Sequence, residues 1–394
     1  MALTIKLPEP GGRLADYRLS EPKRFAAPSG GRPFNRIALA AAHVVADPMA
    51  DVDPWLAVAP DWDRTIAFRE HLWGLGLGVA EAMDTAQRGM GLDWPASLEL
   101  IKRSVAAAHG RQGAAGGAVV FSGAGTDHLD PADARSLDDV IRAYEEQIAA
   151  IEAVGGRIIL MASRALVRVA ESPDDYARVY GRLLGQVKEP VIIHWLGDMF
   201  DPALAGYWGS RDLDAAMATA VDILNASAAK VDGVKISLLD KDKEIAMRRR
   251  LAQGVRMYTG DDFNYAELIA GDTQGYSDAL LGIFDAIAPA ASAALSALAA
   301  EDLETFHAIL APTVPLSRHI FKAPTRFYKT GVVFMAYLNG HQDHFTMVGG
   351  QESARSTLHL AELFRLADKA GLLAEPERAI ARMRRVLALR GIEA

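Results

Sequence analysis

The sequence predicts an α/β protein: a closed (β/α)8 TIM barrel with an N-terminal arm and a C-terminal helical extension. Three observations predict it. From residue 36, short apolar runs alternate with longer amphipathic ones, eight times up to residue 277. The short runs are apolar throughout, as in parallel strands covered on both faces. After residue 277 the strand pattern stops, and segments of helical period continue to the C-terminus. Eight β/α units of this length fit a closed barrel better than an open doubly wound sheet, although strand order is not readable from sequence. The expected divisions are an arm at 1–32, a barrel at 33–278 and a helical region at 279–394.

The arm is rich in glycine, proline and charge, at 8–12 and again at 27–31. It reads as an extended cover rather than a domain. The strand candidates are 36–41, 78–82, 118–122, 157–161, 191–195, 233–238, 255–259 and 274–277. Helical patterns lie between them at 64–75, 96–108, 137–154, 173–184, 213–226, 243–251 and 264–270. Beyond the barrel, helical periodicity marks 286–298, 354–371 and 375–389. Asp285 and Pro289 interrupt the apolar run 283–300, which argues against a membrane span.

Composition narrows the function. The 394 residues are half hydrophobic, ample for a barrel-sized core. Net charge is -8 with both signs interspersed, so no basic stripe points to nucleic acid. There are no cysteines, which excludes disulfides, Cys-ligated zinc and thiol catalysis. The N-terminal residues carry no apolar run of signal-peptide length, so a cytoplasmic protein without a membrane partner is expected.

In a (β/α)8 barrel the C-terminal strand ends carry the chemistry. The most informative residue there is Lys235, flanked by Val234 and Ile236 in a buried strand candidate. Burying an ammonium costs several kcal/mol unless it is paired, so such a lysine titrates low or does chemistry. A desolvated, partly neutral amine attacks a carbonyl to form a Schiff base. The competing reading is a lysine that snorkels to the strand end and pairs with a nearby aspartate. The other strand ends offer His43; Glu81, Asp84, Thr85 and Gln87; Gly123, Asp127 and His128; Ser163 and Arg164; His194; Asp261 and Asp262; and Ser277. The pair His341 and His344 has a spacing seen in metal sites, but reads as a solvent loop.

Several of these segments resemble the dihydrodipicolinate synthase / N-acetylneuraminate lyase family of class I aldolases. Gly233-Val234-Lys235 is similar to the family's strand-six Gly-hydrophobic-Lys, whose lysine forms the Schiff base. Thr259-Gly260-Asp261-Asp262 resembles its strand-seven Ser-Gly-Asp-Asp turn. The segment Gly271 to Ser277 resembles its strand-eight Gly-x-x-Gly-x-x-Ser, and Gly123-Ala124-Gly125 the Gly-rich end of strand three. Pro190-Val191-Ile192-Ile193-His194 matches the Pro-led strand five. Their shared order and spacing cover the chain from about Asn35 onward.

The departures are equally specific. His194-Trp195-Leu196 stands where the family has Tyr-Asn-x-Pro, and Ala162-Ser163-Arg164 where it has its relay tyrosine in Pro-Tyr-Tyr. The strand-two Gly-Thr-Thr-Gly-Glu that holds a keto-acid carboxylate is absent, with Thr85 as the one plausible equivalent. The imine-forming part is kept and the substrate-reading part is rewritten, as in an outlying branch of the family.

The resemblance implies a homo-oligomer, dimer or tetramer, and a Schiff-base lyase acting on a small, polar, hydroxylated carbonyl substrate. Lys235 is the expected nucleophile and His194 the proton carrier, titrating between about pH 5.5 and 7.5. Asp84, Thr85, Gln87, Gly123, Asp127, His128, Ser163, Arg164, Gly260, Asp261 and Ser277 are the expected substrate contacts, with Arg164 the replacement anion clamp. Asp261 and Asp262 also read as turn and cap residues. No cofactor is expected, because the lysine supplies the electron sink. Two alternatives remain: a metal-dependent sugar isomerase or epimerase using Glu81, Asp127, His128 and His194, and a catalytically silent barrel kept for binding.

Overall fold

The computed structural model describes residues 3–26, 33–111 and 118–393. The glycine- and proline-rich stretch 27–31 of the arm lies outside the described residues. The rest of the arm is more ordered than an extended cover. Strands β1 (Thr4–Pro8) and β2 (Leu14–Arg18) pair antiparallel around Gly11 and Gly12, which turn the chain at positive φ. Alternation makes this hairpin: Ile5 and Leu7 are buried while Thr4 and Lys6 face out.

Eight parallel strands close into a barrel in the order β10-β3-β4-β5-β6-β7-β8-β9. They are β3 (Ala38–Ala41), β4 (Gly78–Glu81), β5 (Val120–Ala124), β6 (Arg157–Leu160), β7 (Val191–Leu196), β8 (Val231–Ser237), β9 (Arg256–Thr259) and β10 (Asp278–Leu281). The crossover helices are α1 (Trp62–Gly74), α2 (Trp94–His109), α3 (Leu137–Ala153), α4 (Arg164–Val169), α5 (Pro173–Gln186), α6 (Leu213–Ala226), α7 (Lys241–Arg248) and α8 (Tyr265–Ala270). After β10 come α9 (Ile283–Ala286), α10 (Ala288–Ala299), α11 (Leu303–Leu310), α12 (Val314–Ile320), α13 (Tyr328–Leu338), α14 (Thr357–Lys369) and α15 (Pro376–Leu389).

The predicted barrel is therefore present, with one strand displaced. The expected strand at 274–277 is a loop: Asp272 and Gly275 bond each other's backbone at 2.8 and 3.3 Å. The chain becomes extended only at Asp278, where the apolar Ala279-Leu280-Leu281 begins. The third strand likewise lies two residues later than its candidate.

Alternation of side chains divides each strand between two cores. Leu39, Ala80, Phe121, Ile159, Ile192, Tyr258 and Leu280 meet inside the barrel, in a cluster separate from the main one between strands and helices. Gly233 leaves room for the Tyr258 ring, since a Cβ there would sit 2.6 Å from its Cε2. The Tyr258 hydroxyl donates to Asp232 at 2.5 Å, and Asp232 also takes Arg157 and Arg256. This plugs the barrel interior below the level of Lys235.

The region after β10 packs onto the barrel as part of the same core. Every residue of α13 is buried, and its first turn reaches the β4 loop, where the Tyr328 and Thr85 hydroxyls lie 2.8 Å apart. The hairpin docks on α14, with the Tyr17 hydroxyl 2.8 Å from Asp368. Among the described residues no helix is long and apolar enough to cross a membrane.

Candidate active site

On β8 the outward Val234 and Ile236 join the strand–helix core, which turns Lys235 into the barrel. It lies in register with His194 on β7 and Tyr258 on β9. Only 8 % of Lys235 is exposed, and its stem packs over Gly260. A Cβ at Gly260 would sit 2.8 Å from Lys235 Cε and 2.7 Å from the Ile236 carbonyl oxygen, so only glycine fits. Among the described residues the ammonium has no carboxylate within ion-pair distance. Burial pushes its pKa down, against the attraction of Asp84 and Asp262. Burial also pushes the Asp262 carboxyl up, although it accepts a hydrogen bond from Ile283 N at 2.9 Å and feels Lys235. The pair thus approaches neutrality from both sides.

His194 presents Nε2 to the Ser237 hydroxyl at 3.2 Å. Its Nδ1 is buried and has no hydrogen-bond partner among the described residues. Burial, and then the charge of Lys235, hold its pKa well below the ordinary histidine range. That direction runs against the expected ionisation between about pH 5.5 and 7.5 and favours the neutral imidazole.

Two adjoining cavities open at this end of the barrel. One, of about 260 Å³, is lined by His194, Asp84, Arg88, Asp127, Arg164 and Leu196, among others. The second, of about 270 Å³, shares Asp84, Arg88 and Arg164 and adds Arg326, Phe327, Lys329 and Gln351 from the C-terminal region. Arg88 holds Asp127 through two bonds of 2.9 and 2.6 Å, and Arg164 holds Asp201 at 2.6 Å. Burial would raise the Asp127 carboxyl, but the charge and bonds of Arg88 and a bond from Gln147 bring it below its usual range.

The family described as a protein of unknown function (DUF993) matches residues 5–392. The chain belongs to this family. No curated protein matches the chain. Solved structures show what the DUF993 chain resembles in fold. Dihydrodipicolinate synthase from Aquifex aeolicus is 13 % identical, with 86 % of this chain and 99 % of that one covered and a TM-score of 0.62. YagE, a prophage protein of the dihydrodipicolinic acid synthase family from E. coli K12 in complex with pyruvate, is 13 % identical over 86 % and 99 %, with a TM-score of 0.64. The dihydrodipicolinate synthase from Acinetobacter baumannii complexed with pyruvate is 17 % identical over 86 % and 99 %, with a TM-score of 0.59.

In the DUF993 chain the expected contacts separate into two groups. Asp84, Asp127 and Arg164 line the cavities, Gly260 packs against the stem of Lys235, and Thr85 bonds Tyr328. The others lie elsewhere. Gln87 ties the β4 loop to the C-terminal region through the Val348 carbonyl at 2.8 Å. At Gly123, whose carbonyl accepts from Arg88, a Cβ would sit 2.8 Å from the Ala82 carbonyl oxygen. His128 turns to Gln147 and Glu146 on α3. The Ser163 hydroxyl caps α4 and bonds Thr126 at 2.6 Å. Asp261 caps the next turn through the Phe263 and Asn264 amides, so Asp262 is the member of that turn that acts on Lys235. Ser277 is corrected outright: it precedes β10 and donates outward to Glu244 at 2.7 Å.

The alternative metal set does not converge. Glu81 points into the helix layer, held by Arg69 at 2.9 and 2.8 Å and by Ser104. His341 is also no solvent residue; it packs edge-on against Phe68 with centroids 4.9 Å apart. Sequence reasoning missed Arg88, Asp201, Tyr328 and Lys329. For Lys329 a signal existed, a lone charge beside the apolar run 331–336, the same cue that marks Lys235.

Proposed function

We propose that this protein is a Schiff-base lyase, of aldolase or dehydratase type, acting on a polar hydroxylated keto compound through Lys235. The observation that carries this reading is a lysine buried at the C-terminal strand ends of a (β/α)8 barrel, with no carboxylate bonded to it among the described residues and its pKa pushed down. The likeness in fold to solved enzymes bound to pyruvate supports it. A cytoplasmic homo-oligomer, dimer or tetramer, belongs to the same reading.

The neutral Lys235 amine attacks the substrate carbonyl carbon, and the carbinolamine loses water to give a protonated imine. That cation accepts the electron pair released when a neighbouring C–H or C–C bond breaks; for dehydration, the enamine formed by loss of the proton then expels the hydroxyl of the next carbon, which leaves as water once protonated. His194, whose Nδ1 has no hydrogen-bond partner among the described residues, is the first candidate to take the released proton. The Tyr328–Thr85 hydroxyl pair is the second candidate, standing in from α13 for the relay tyrosine that the chain lacks at β6. Asp84 and Asp262 stabilise the imine's positive charge as they do the ammonium.

The test is proton exchange. Candidate keto acids and keto sugars are incubated with the protein in D2O and followed by proton NMR. Reversible imine–enamine conversion replaces the protons next to the carbonyl with deuterium, and Lys235→Ala abolishes it. Exchange that survives in Lys235→Ala contradicts the reading.

A further inference from the structure

We propose that Lys329, with Arg326 and Arg164, forms an oxyanion subsite at the barrel mouth, which holds the acid group of the substrate, a carboxylate or a phosphate monoester. The link to a carbonyl at Lys235 rests on the function proposed above; the anion site itself does not.

Lys329 stands in the first turn of α13 and is only 5 % exposed. A cation is disfavoured there by the positive end of the helix dipole. Its ammonium donates to the Arg326 carbonyl at 3.1 Å and approaches Met90 Sδ at 3.3 Å. Among the described residues no carboxylate lies within ion-pair distance of it. A buried ammonium left this way is costly unless something neutralises it.

The charges around the cavity do not balance. Arg88 is matched by Asp127 and Arg164 by Asp201. Asp84 attracts both buried lysines, Lys235 and Lys329, and Asp262 attracts Lys235 alone. Arg326 lines the same cavity, stacked over Phe327 at 4.9 Å and without a carboxylate partner among the described residues. An oxyanion placed there would meet the lysine and the exposed edges of two guanidiniums, the donor set that carboxylates and phosphates select. Burial brings Lys329 down to about 8, against the pull of Asp84 and Asp201 and with the push of Arg164 and Arg326. It is therefore mostly charged at neutral pH, yet reactive toward amine reagents just above it.

The β4 loop grips the C-terminal region through Gln87 and Thr85, which seats α13, and Lys329 with it, at the cavity.

The test labels lysines of the full-length protein with acetic anhydride at pH 8 and maps them by mass spectrometry. Labelling is repeated with inorganic phosphate or with acetate, each against chloride at equal ionic strength. Lys329 labelling is expected to fall at least fivefold in one of the two, and Arg326→Ala to weaken that protection. Protection by phosphate alone assigns a phosphate monoester; protection by acetate assigns a carboxylate. Equal labelling of Lys329 in all three salts overturns the proposal. So does unchanged protection in Arg326→Ala, provided its melting curve matches wild type. Protection of Lys329 without an imine at Lys235 would leave this site standing and reject the lyase. An imine at Lys235 with Lys329 unprotected would do the reverse.

Discussion

The protein buries two lysines at one barrel mouth, and they differ in what holds them. Lys235 sits on a strand, in register with two neighbouring strands, its stem fixed over Gly260. Lys329 sits on a helix from the C-terminal region, lines an open cavity and leans on a carbonyl and a thioether. Asp84 attracts both. A lysine held by the barrel suits chemistry, because reaction needs one geometry. A lysine brought by the added region suits recognition, because that region can vary without disturbing the sheet.

The largest expected effect separates these roles. Lys235→Arg should remove turnover to background, because a guanidinium stays charged and cannot attack a carbonyl. The corresponding loss for Lys329→Gln should fall mainly on KM. If both variants lose kcat alike, the division of labour fails. Next in size are the proposed proton carriers. His194→Phe should cost about 10²–10⁴ in rate while the imine at Lys235 still forms. Because His194 is held neutral, the wild-type rate should show no ionisation from it between about pH 5.5 and 7.5. Tyr328→Phe loses the bond to Thr85 and tests the other carrier. If it lowers only the melting temperature and leaves D2O exchange unchanged, Tyr328 is structural and His194 moves the proton.

A smaller effect probes the barrel side of the comparison. Gly260→Ala puts a methyl against Lys235 Cε and should slow imine formation about tenfold or more by displacing the amine. Trapping kinetics measure this directly, and an unchanged rate would mean that the stem has room to shift.

Much of this was legible in advance. Seven strands fall within two residues of their expected positions at each start, because buried parallel strands read as unbroken apolar runs. The eighth was misplaced because Tyr276 and Ser277 resemble a strand while lying just beyond a tight turn. Lys235 was legible as a charge inside an apolar run. Tyr328 was not, since its partner Thr85 is 243 residues away in the chain. Glu81 and Ser277 looked like rim residues because sequence places them near strand ends without saying which way they point. Alternation sends Glu81 to Arg69, while Ser277 lies in the loop before β10, at the opposite end of that strand from the rim, and bonds Glu244.

The smallest prediction concerns that outward layer. Glu244 is pushed up to about 8 by burial, against its bonds from Ser277 and Thr259. Its folded pKa lies above the ordinary 4.5, so its stabilising contribution is whole below that value and is lost as pH rises to about 8. Glu244→Gln stays neutral, so its melting temperature relative to wild type should rise from pH 5 to about 8 and then level off. A constant difference across that range would mean that Glu244 is ionised in the fold.

The most direct test of the central claim is reductive trapping. The protein is incubated with a panel of keto acids and keto sugars, reduced with borohydride, digested and mapped by mass spectrometry. The account predicts one stable adduct, on the peptide that holds Lys235, and none in Lys235→Ala. An adduct on the Lys329 peptide, with Lys235 unmodified, would contradict it.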